Sequence, residues 1–393
     1  MTLPTGTQSR PPSSGAGAIR VMVVDDSAVI RGLLSKALEQ DPDIEVVASV
    51  GNGQMAVNTA GRMEIDVIVL DIEMPVMDGL TALPLLLKAS PRTRIVMAST
   101  LTRRGADITM KAMRAGAADY LPKPTATRDI HGADGFRQEL VQKVKALGRA
   151  VRPAAPTGGT SGTGASTAAS ERPVRRPGDA PSANTRSAAP ILRPVPRGFN
   201  PAIVAIGSST GGPQALFEVI GALSPKRGGA LSVPIIVTQH MPATFTTILA
   251  EHIARQCDIE AIEVSDGEVL RPGRVHIAPG QFHMVVGGNA ASPVLRINQD
   301  PPENFCRPSV DPMMRSVVKA FGGRSLAVIL TGMGHDGLSG CRQVVEAGGV
   351  VIAQDEASSV VWGMPGAVAT GGLCSEVLPL AKLGPSVRKL LAH

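Results

Sequence analysis

Residues 20–26 read RVMVVDD, an apolar run of mostly β-branched residues that ends in two aspartates. Four further segments of similar apolar character follow along the chain: EVVASV at 45–50, DVIVLDI at 66–72, RIVMAST at 94–100 and DYLPKP at 119–124. Patterns typical of helices stand after each of the five, near 28–40, 52–62, 79–90, 104–115 and 134–150. Because strands that are buried on both faces are apolar throughout, this alternation predicts a five-stranded parallel sheet covered by helices on both faces.

The second half of the chain repeats this alternation with different details. Its strand-like segments are AIVAIG at 202–207, PIIVTQH at 234–240, SLAVILTG at 325–332 and GVVIAQD at 349–355. Residues 264–288 contain Asp-Gly and Pro-Gly turns between short strands, which is typical of antiparallel hairpins. The second half is therefore predicted to be a mostly parallel, doubly wound α/β domain with a β-hairpin excursion.

A stretch of 48 residues, 151–198, separates the two halves and contains 33 Pro, Gly, Ala, Ser or Thr residues. Such a composition cannot bury enough apolar surface to offset the entropy of ordering, so we expect a flexible linker. As a random coil it would span roughly 40 Å. The chain is therefore predicted to comprise a disordered extension at 1–18, a first domain at 19–150, this linker and a second domain at 199–393.

The formal charge of +6 is concentrated in the linker, which carries seven basic and two acidic residues. Residues 199–393 carry 14 basic and 15 acidic side chains, and neither domain has the charge excess typical of nucleic-acid binding. The four cysteines form no C-x-x-C pair, and no apolar run approaches the ~18 residues that cross a bilayer. We therefore expect a cytoplasmic protein with reduced thiols, no nucleic-acid partner and no direct membrane insertion.

Acidic side chains stand where two strands of the first sheet end. Asp25 and Asp26 follow the first strand and Asp71 ends the third, and the carboxyl ends of parallel strands meet at one edge of a sheet. Three neighbouring carboxylates repel one another, and Mg²⁺ is the cation that best relieves this repulsion. The alternative is that Asp25 and Asp26 only cap the following helix.

Ser99 and Lys123 end the fourth and fifth strands at the same edge. They supply a hydroxyl and a point positive charge suited to phosphoryl oxygens. Because a carboxylate can act as a nucleophile and form an acyl phosphate, Asp71 is predicted to accept a phosphoryl group in this acidic pocket.

The first half resembles a response-regulator receiver domain, on the aspartates at 25–26, VLDIEMPVMDG around Asp71, VMAST with Ser99, and Tyr120 before Lys123. The resemblance implies a flavodoxin-like fold, phosphorylation of Asp71 by a partner histidine kinase, and Mg²⁺ held by the three aspartates. It also implies that Ser99, Lys123 and Tyr120 form the phosphate switch, with Ser99 and Tyr120 changing rotamer.

The segment IGSSTGGP at 206–213 joins a predicted strand to a helix and contains Gly207-x-Ser209-x-Gly211, the spacing of a nucleophile elbow. In such an elbow, backbone N–H groups at the helix start can receive an oxyanion. The motif alone is weak, since an ordinary strand-to-helix turn fits it equally well. A phosphate-binding loop is disfavoured, because the Lys-Ser/Thr pair and the full G-x-G-x-x-G are both missing.

A serine nucleophile needs a base and a carboxylate that orients the base. His240 ends the strand beside the elbow, and Asp336 follows SLAVILTG in the turn GMGHDG. Three strand ends would then supply Ser209, His240 and Asp336 as a hydrolytic triad. His283 cannot be dismissed as the base from pattern alone, and Asp336 also fits a helix N-cap.

The order Ser, His, Asp differs from the Ser, Asp, His order of α/β-hydrolases. Residues 199–391 instead resemble the catalytic domain of the chemotaxis protein-glutamate methylesterases. The motifs that carry the resemblance are IGSSTGGP, TQHMP, DGEVLRPGRVHIAPGQFH, RPSVDPM, VILTGMGHDG and QDEASSVVWGMP. It implies Ser209 as nucleophile, His240 as general base and Asp336 as the residue that orients it, with no cofactor in this site.

The same resemblance places Thr210 and Met333 around the oxyanion. His335 departs from the asparagine that is common in relatives, and its imidazole is expected to perturb Asp336. The implied activity is hydrolysis of glutamate 5-O-methyl esters on chemoreceptors to glutamate and methanol, with deamidation of specific receptor glutamines, in bacterial chemotaxis. The receiver is expected to cover the triad until it is phosphorylated.

A response regulator whose output is binding to DNA or protein, without catalysis, is the alternative from a different class, since receivers serve many outputs. The charge of residues 199–393 and the three triad members at strand ends count against it.

Overall fold

The computed structural model of the chain describes residues 17–123, 134–152, 190–227, 231–289 and 291–392. The predicted extension at 1–18 and the predicted linker at 151–198 lie largely outside these ranges. Within them, no helix combines the length and the apolar character that crossing a lipid bilayer requires.

Five parallel strands form the first sheet in the spatial order β2-β1-β3-β4-β5, which confirms the predicted five-stranded sheet. The strands are β1 Ile19–Val24, β2 Ile44–Val50, β3 Val67–Asp71, β4 Arg94–Ser99 and β5 Asp119–Pro122. The helices are α1 Ala28–Glu39, α2 Gly53–Ala60, α3 Gly79–Ala89, α4 Arg103–Arg114 and α5 Asp134–Val151. Because β1 and β3 are neighbours, the aspartates at their carboxyl ends adjoin.

Helices cover both faces of this sheet because successive strand residues point to opposite sides. Val21 and Val23 of β1 pack in one cluster with residues of α1 and α5, whereas Met22 and Val24 pack in another with residues of α2, α3 and α4. Four of the helices begin after a residue whose side chain accepts a backbone N–H three positions later, which satisfies an otherwise unpaired donor. These N-caps are Ser27, Asn52, Asp78 and Thr102.

Seven parallel strands form the second sheet, in the order β14-β13-β12-β6-β7-β9-β8. The strands are β6 Ile203–Ser208, β7 Ile235–Gln239, β8 Glu260–Glu263, β9 Arg274–Ile277, β12 Ser325–Ile329, β13 Val350–Gln354 and β14 Glu376–Leu378. A separate antiparallel hairpin, β10 His283–Gly287 with β11 Val294–Asn298, confirms the predicted excursion. The helices are α6 Gly212–Gly221, α7 Phe245–Cys257, α8 Val310–Phe321, α9 Leu338–Glu346, α10 Met364–Thr370 and α11 Leu380–Leu391.

The strand order of the second sheet fixes where its candidate site lies. Strand β6 pairs with β7 on one side and with β12 on the other. The carboxyl ends of these three strands lead to Ser209, His240 and the loop that carries Asp336. Three segments that are far apart in the sequence are therefore neighbours at one edge of the sheet.

The first domain packs on the second through α4 and β5, which contact α6 and α7. Tyr120 stacks on Phe245 with a centroid separation of 4.7 Å and an interplanar angle of 12°. Gln214 at the start of α6 donates to the backbone oxygen of Ala117 at 3.2 Å. One buried apolar cluster includes residues of both sheets.

Candidate functional site

Three carboxylates meet at the carboxyl edge of the first sheet. Asp25 and Asp26 follow β1 and Asp71 ends β3, and one oxygen from each lies within 4.8 Å of the others. Asp25 and Asp71 are buried, whereas Asp26 is exposed. Burial raises the pKa of Asp71 above its ordinary value, although Lys123 opposes the rise. A cluster of carboxylates that is open to solvent at Asp26 fits Mg²⁺, because this ion retains several water ligands in proteins.

Lys123 joins two of these carboxylates. Its Nζ lies 2.6 Å from Asp25 Oδ2 and 2.6 Å from Asp71 Oδ1. Ser99 is buried at the end of β4, and it lines one cleft together with Asp26, Asp71 and Lys123. A cation that already pairs with the acceptor carboxylate is well placed to contact a phosphoryl group formed there.

Tyr120 lies away from this cleft, at the contact between the domains. Its ring is buried and stacks on Phe245. The Nζ of Lys143 lies 4.9 Å from the ring centroid and donates to the Tyr120 backbone oxygen at 2.6 Å. The predicted phosphate switch is therefore divided between two places, with Ser99 and Lys123 at the acidic edge and Tyr120 against the second domain.

The turn after β6 has the local geometry of a nucleophile elbow. Gly211 adopts a φ of 76°, and a Cβ on Gly212 would come 2.0 Å from Gln239 Oε1, so both positions require glycine. The Gln239 side-chain amide, at the end of the neighbouring strand β7, holds the turn through two hydrogen bonds. Its Oε1 accepts from Ser208 Oγ at 2.7 Å and its Nε2 donates to the Ser209 backbone oxygen at 2.9 Å.

Asp336 is buried and is hydrogen-bonded to His240, with Oδ2 2.7 Å from Nε2. Its oxygens also accept hydrogen bonds from four further donors: Asn304 Nδ2 at 2.9 Å, Ser309 Oγ at 2.8 Å, Val310 N at 2.7 Å and Asp311 N at 3.1 Å. The two backbone donors belong to the start of α8, where the helix dipole favours a negative charge. Burial raises the pKa of Asp336, but His240 and these donors outweigh it and hold the pKa at about 2.

The second ring nitrogen of His240 faces Cys306. The Nδ1 atom lies 3.4 Å from Cys306 Sγ, and the thiol is half-buried. Burial lowers the pKa of His240, but the hydrogen bonds to Asp336 and Cys306 outweigh burial and raise it to about 10. Because Nε2 is bonded to Asp336, Nδ1 is the ring nitrogen that remains for another partner, and in the described structure that partner is the Cys306 thiol. With a pKa of about 10 the ring carries protons on both nitrogens at neutral pH, so the Nδ1 proton must leave before Nδ1 can accept another.

His283, the other candidate base, has both ring nitrogens bonded elsewhere. Its Nδ1 accepts from Ser309 N at 3.2 Å, and its Nε2 lies 3.1 Å from the Pro301 backbone oxygen. This buried imidazole therefore supports the segment that carries Asn304 and Ser309, two of the donors to Asp336. His335 is exposed and is not among the donors to Asp336, so the described contacts give no sign of the expected perturbation.

The predicted oxyanion residues lie on two loops. The N–H of Ser209 donates to Thr331 O at 3.1 Å, so that amide is already bonded. Met333 is half-buried on the loop after β12. Thr210 is buried, and its hydroxyl donates to Asp119 Oδ2 of the first domain at 2.8 Å. A carboxylate of the first domain is thus bonded directly to the residue that follows Ser209.

Two family models match the chain, one to each domain. Residues 21–133 match the response regulator receiver domain, and residues 204–387 match the CheB methylesterase.

Two curated relatives are similar along almost the whole length. The "protein-glutamate methylesterase/protein-glutamine glutaminase of group 2 operon" of Rhodospirillum centenum is 58% identical and covers 97% of this chain and 96% of the relative. The "protein-glutamate methylesterase/protein-glutamine glutaminase" of Azospirillum brasilense is 60% identical and covers 97% of this chain and 95% of the relative.

Among solved structures, the CheB methylesterase catalytic domain of Thermotoga maritima is 38% identical, with a TM-score of 0.46. The match covers 49% of this chain and 99% of that structure.

Proposed function

The chain belongs to the CheB methylesterase family, and we propose that it hydrolyses glutamate 5-O-methyl esters on chemoreceptors to glutamate and methanol under the control of its receiver domain. The observation that carries the catalytic part is the bond between His240 and the ionised, buried Asp336, beside the elbow that carries Ser209. The predicted domain bounds, 19–150 and 199–393, are retained in this proposal. We place the protein in the cytoplasm, where both its phosphodonor and the receptor helices would be reached.

Ser209 is the nucleophile of the proposed reaction. Its Oγ forms a bond to the ester carbonyl carbon while His240 Nδ1 takes the hydroxyl proton. The resulting oxyanion is stabilised by backbone donors, for which the segments of Thr210 and Met333 are the candidates. The same proton passes to the methoxy oxygen, and methanol leaves an acyl-enzyme. Water then attacks the acyl carbon while His240 takes one of its protons. His240 passes this proton to Ser209 Oγ as the acyl bond breaks, and glutamate and free Ser209 are formed.

Asp336 orients the base and stabilises its charged form. With Nε2–H held by the carboxylate, Nδ1 is the acceptor nitrogen in the neutral ring, and the imidazolium formed during attack is paired with a negative charge. Deamidation of receptor glutamines follows the same route with ammonia as the leaving group. The site needs no cofactor for either reaction, since nucleophile, base and orienting carboxylate are all side chains of the chain.

The acidic edge of the receiver is the proposed phosphorylation site, with Asp71 as acceptor and a histidine kinase as donor. Asp25, Asp26 and Asp71 would hold Mg²⁺, which when bound offsets the negative charge of the incoming phosphoryl group. The Nζ of Lys123 contacts Asp71 already, at 2.6 Å, and is placed to hold a phosphoryl oxygen. The hydroxyl of Ser99 is the second proposed contact.

Control is exerted through the domain contact. In the docked chain Asp119 accepts a hydrogen bond from Thr210, and Tyr120 stacks on Phe245 at the start of α7. Substrate must approach Ser209 next to this contact, so docking hinders access and fixes the elbow. A phosphoryl group on Asp71 needs to shift the docking balance by only ~1–3 kcal/mol, the usual size of an allosteric coupling. Rearrangement of Ser99 and Tyr120 is the proposed link.

Substitutions in the triad should abolish methanol release from methyl-labelled receptor membranes without unfolding the protein. We expect Ser209→Ala and His240→Ala to lower the rate by roughly 10⁴-fold or more. The loss of rate caused by Asp336→Asn should be about one to two orders of magnitude smaller. His283→Ala serves as the contrast and should retain more activity than His240→Ala. Inactivation by His283→Ala with an active His240→Ala protein would show that the base is misassigned.

Asp71→Asn should block labelling of the protein by acetyl phosphate in the presence of Mg²⁺, because the acceptor carboxylate is gone. Asp25→Asn and Asp26→Asn should raise the Mg²⁺ concentration needed for labelling, since each removes a metal ligand. Asp41→Asn is the matched control on the same domain, and its labelling should equal that of the unmodified chain. A base-labile label of normal yield on the Asp71→Asn protein would identify another carboxylate as acceptor.

Weakening the domain contact should raise the unphosphorylated rate. Asp107 accepts from His252 Nε2 at 2.8 Å across the contact, and Arg255 lies nearby, so Asp107→Lys replaces attraction with repulsion. We expect this variant, and a protein limited to residues 199–393, to release methanol faster than the unphosphorylated full chain on the same receptor preparation. If both are no faster, the receiver delivers the enzyme to its substrate and does not occlude the triad.

A further inference from the structure

A tight turn at Glu303–Cys306 adjoins the triad from the side of His240 and Asp336. The Glu303 N–H donates to Cys306 O at 3.2 Å, and the Cys306 N–H donates to Glu303 O at 2.9 Å. The two central residues both have positive φ, 52° at Asn304 and 62° at Phe305. Mutual bonding around two left-handed residues defines a two-residue hairpin turn of type I′. We call residues 303–306 the dyad turn.

The dyad turn is fixed against the catalytic groups by its own side chains. Asn304 Nδ2 lies 2.9 Å from Asp336 Oδ1, and Cys306 Sγ lies 3.4 Å from His240 Nδ1. At the start of the turn, Glu303 Oε2 accepts from Arg315 Nη1 of α8 at 2.9 Å. The residue between Asn304 and Cys306 is therefore held on a turn that contacts both His240 and Asp336.

That residue is Phe305, whose conformation is unfavourable in two respects. Asparagine and glycine are the residues that tolerate left-handed backbone in such turns, and a bulky residue there is a genuine outlier. Phe305 is 103% exposed, so its ring makes no packing contact that would offset the backbone strain. Asn304 has a structural reason for its conformation in its bonds to the neighbouring carboxylates, but Phe305 has none within the described chain. An observed outlier of this kind points to a role outside the folded chain.

We propose that Phe305 is a substrate-contacting residue that packs on the apolar side of the receptor helix presenting the esterified glutamate. This inference rests on the proposed function. A helix that brings one side chain to Ser209 also brings the residues three and four positions away to the same face, roughly one turn along. A ring held beside His240 and Asp336 is placed to meet such a neighbour. Phe305 is fully exposed with the receiver docked, so the docked domain does not cover it.

Substituting Phe305 by Gly separates stability from recognition in the full-length chain. Glycine fits type I′ turns, so the melting temperature of Phe305→Gly should rise by a few degrees. Methanol release from methyl-labelled receptor membranes is compared with hydrolysis of p-nitrophenyl acetate, a small ester with no helix. The ratio of kcat/KM for the receptor to that for the small ester should fall about tenfold, through KM, because burial of an aromatic ring is lost. Phe305→Tyr keeps a ring and should restore the ratio.

Val76→Gly is the matched control. Val76 is likewise exposed, at 86%, and has a φ of 68°, but it lies in the first domain. This variant should also gain stability, and its ratio should equal that of the unsubstituted chain. A Phe305→Gly protein that is more stable but has the same ratio would overturn the inference. Failure of the proposed function is distinguishable, because the unsubstituted chain would then hydrolyse the small ester through Ser209 but release no methanol from receptors.

Discussion

A buried carboxylate on the loop after β12, which accepts hydrogen bonds from the first residues of α8, is the constraint on which the candidate triad depends. Asp336 remains ionised because five hydrogen bonds, two of them from backbone N–H groups of Val310 and Asp311, replace the water it has lost. An ionised Asp336 in turn holds the ring of His240 through Nε2, and in the proposed mechanism this leaves Nδ1 for proton transfer. The segment 301–309 supplies two of these donors, Asn304 and Ser309, and His283 is bonded to its two ends.

A second buried charge connects this site with the receiver. Asp119 accepts a hydrogen bond from Thr210 and is paired with the half-buried Lys143, whose Nζ lies 3.3 Å away. Burial lowers the pKa of Lys143, but Asp119 and Glu139 outweigh it, so the lysine stays charged. Asp119 also accepts a hydrogen bond from Tyr120 N at 2.8 Å, so Tyr120 and Lys143 would still satisfy this carboxylate without Thr210. Undocking would therefore leave no buried unpaired charge in the receiver, which keeps the cost of separating the domains low.

The sequence was most informative for features that a single strand or a single turn determines. Apolar strand runs and terminal aspartates are local signals, and the sheet order then brings Asp25, Asp26 and Asp71 together as predicted. The roles of Gln239, Asn304 and Cys306 were not found, since each depends on a partner at least 30 residues away in the chain. The Ser209 turn was ambiguous for the same reason, because only the neighbouring strand end shows why two glycines are needed. The sequence left His240 and His283 open as the base, and only the fold shows that both ring nitrogens of His283 are bonded within the chain, to Pro301 and Ser309.

The candidate triad requires that Asp336 is ionised and holds the His240 ring through Nε2, and titration of the His240 imidazole by NMR in the full-length chain tests this pairing most directly. We expect a pKa for His240 well above 6.5, toward the value of about 10 that follows from its bonds to Asp336 and Cys306. In the Asp336→Asn variant the pKa should fall, because the neutral amide no longer favours the imidazolium. A His240 that titrates at or below 6.5 in the unsubstituted chain, or with the same pKa in the variant, would show that an ionised Asp336 does not hold the imidazole.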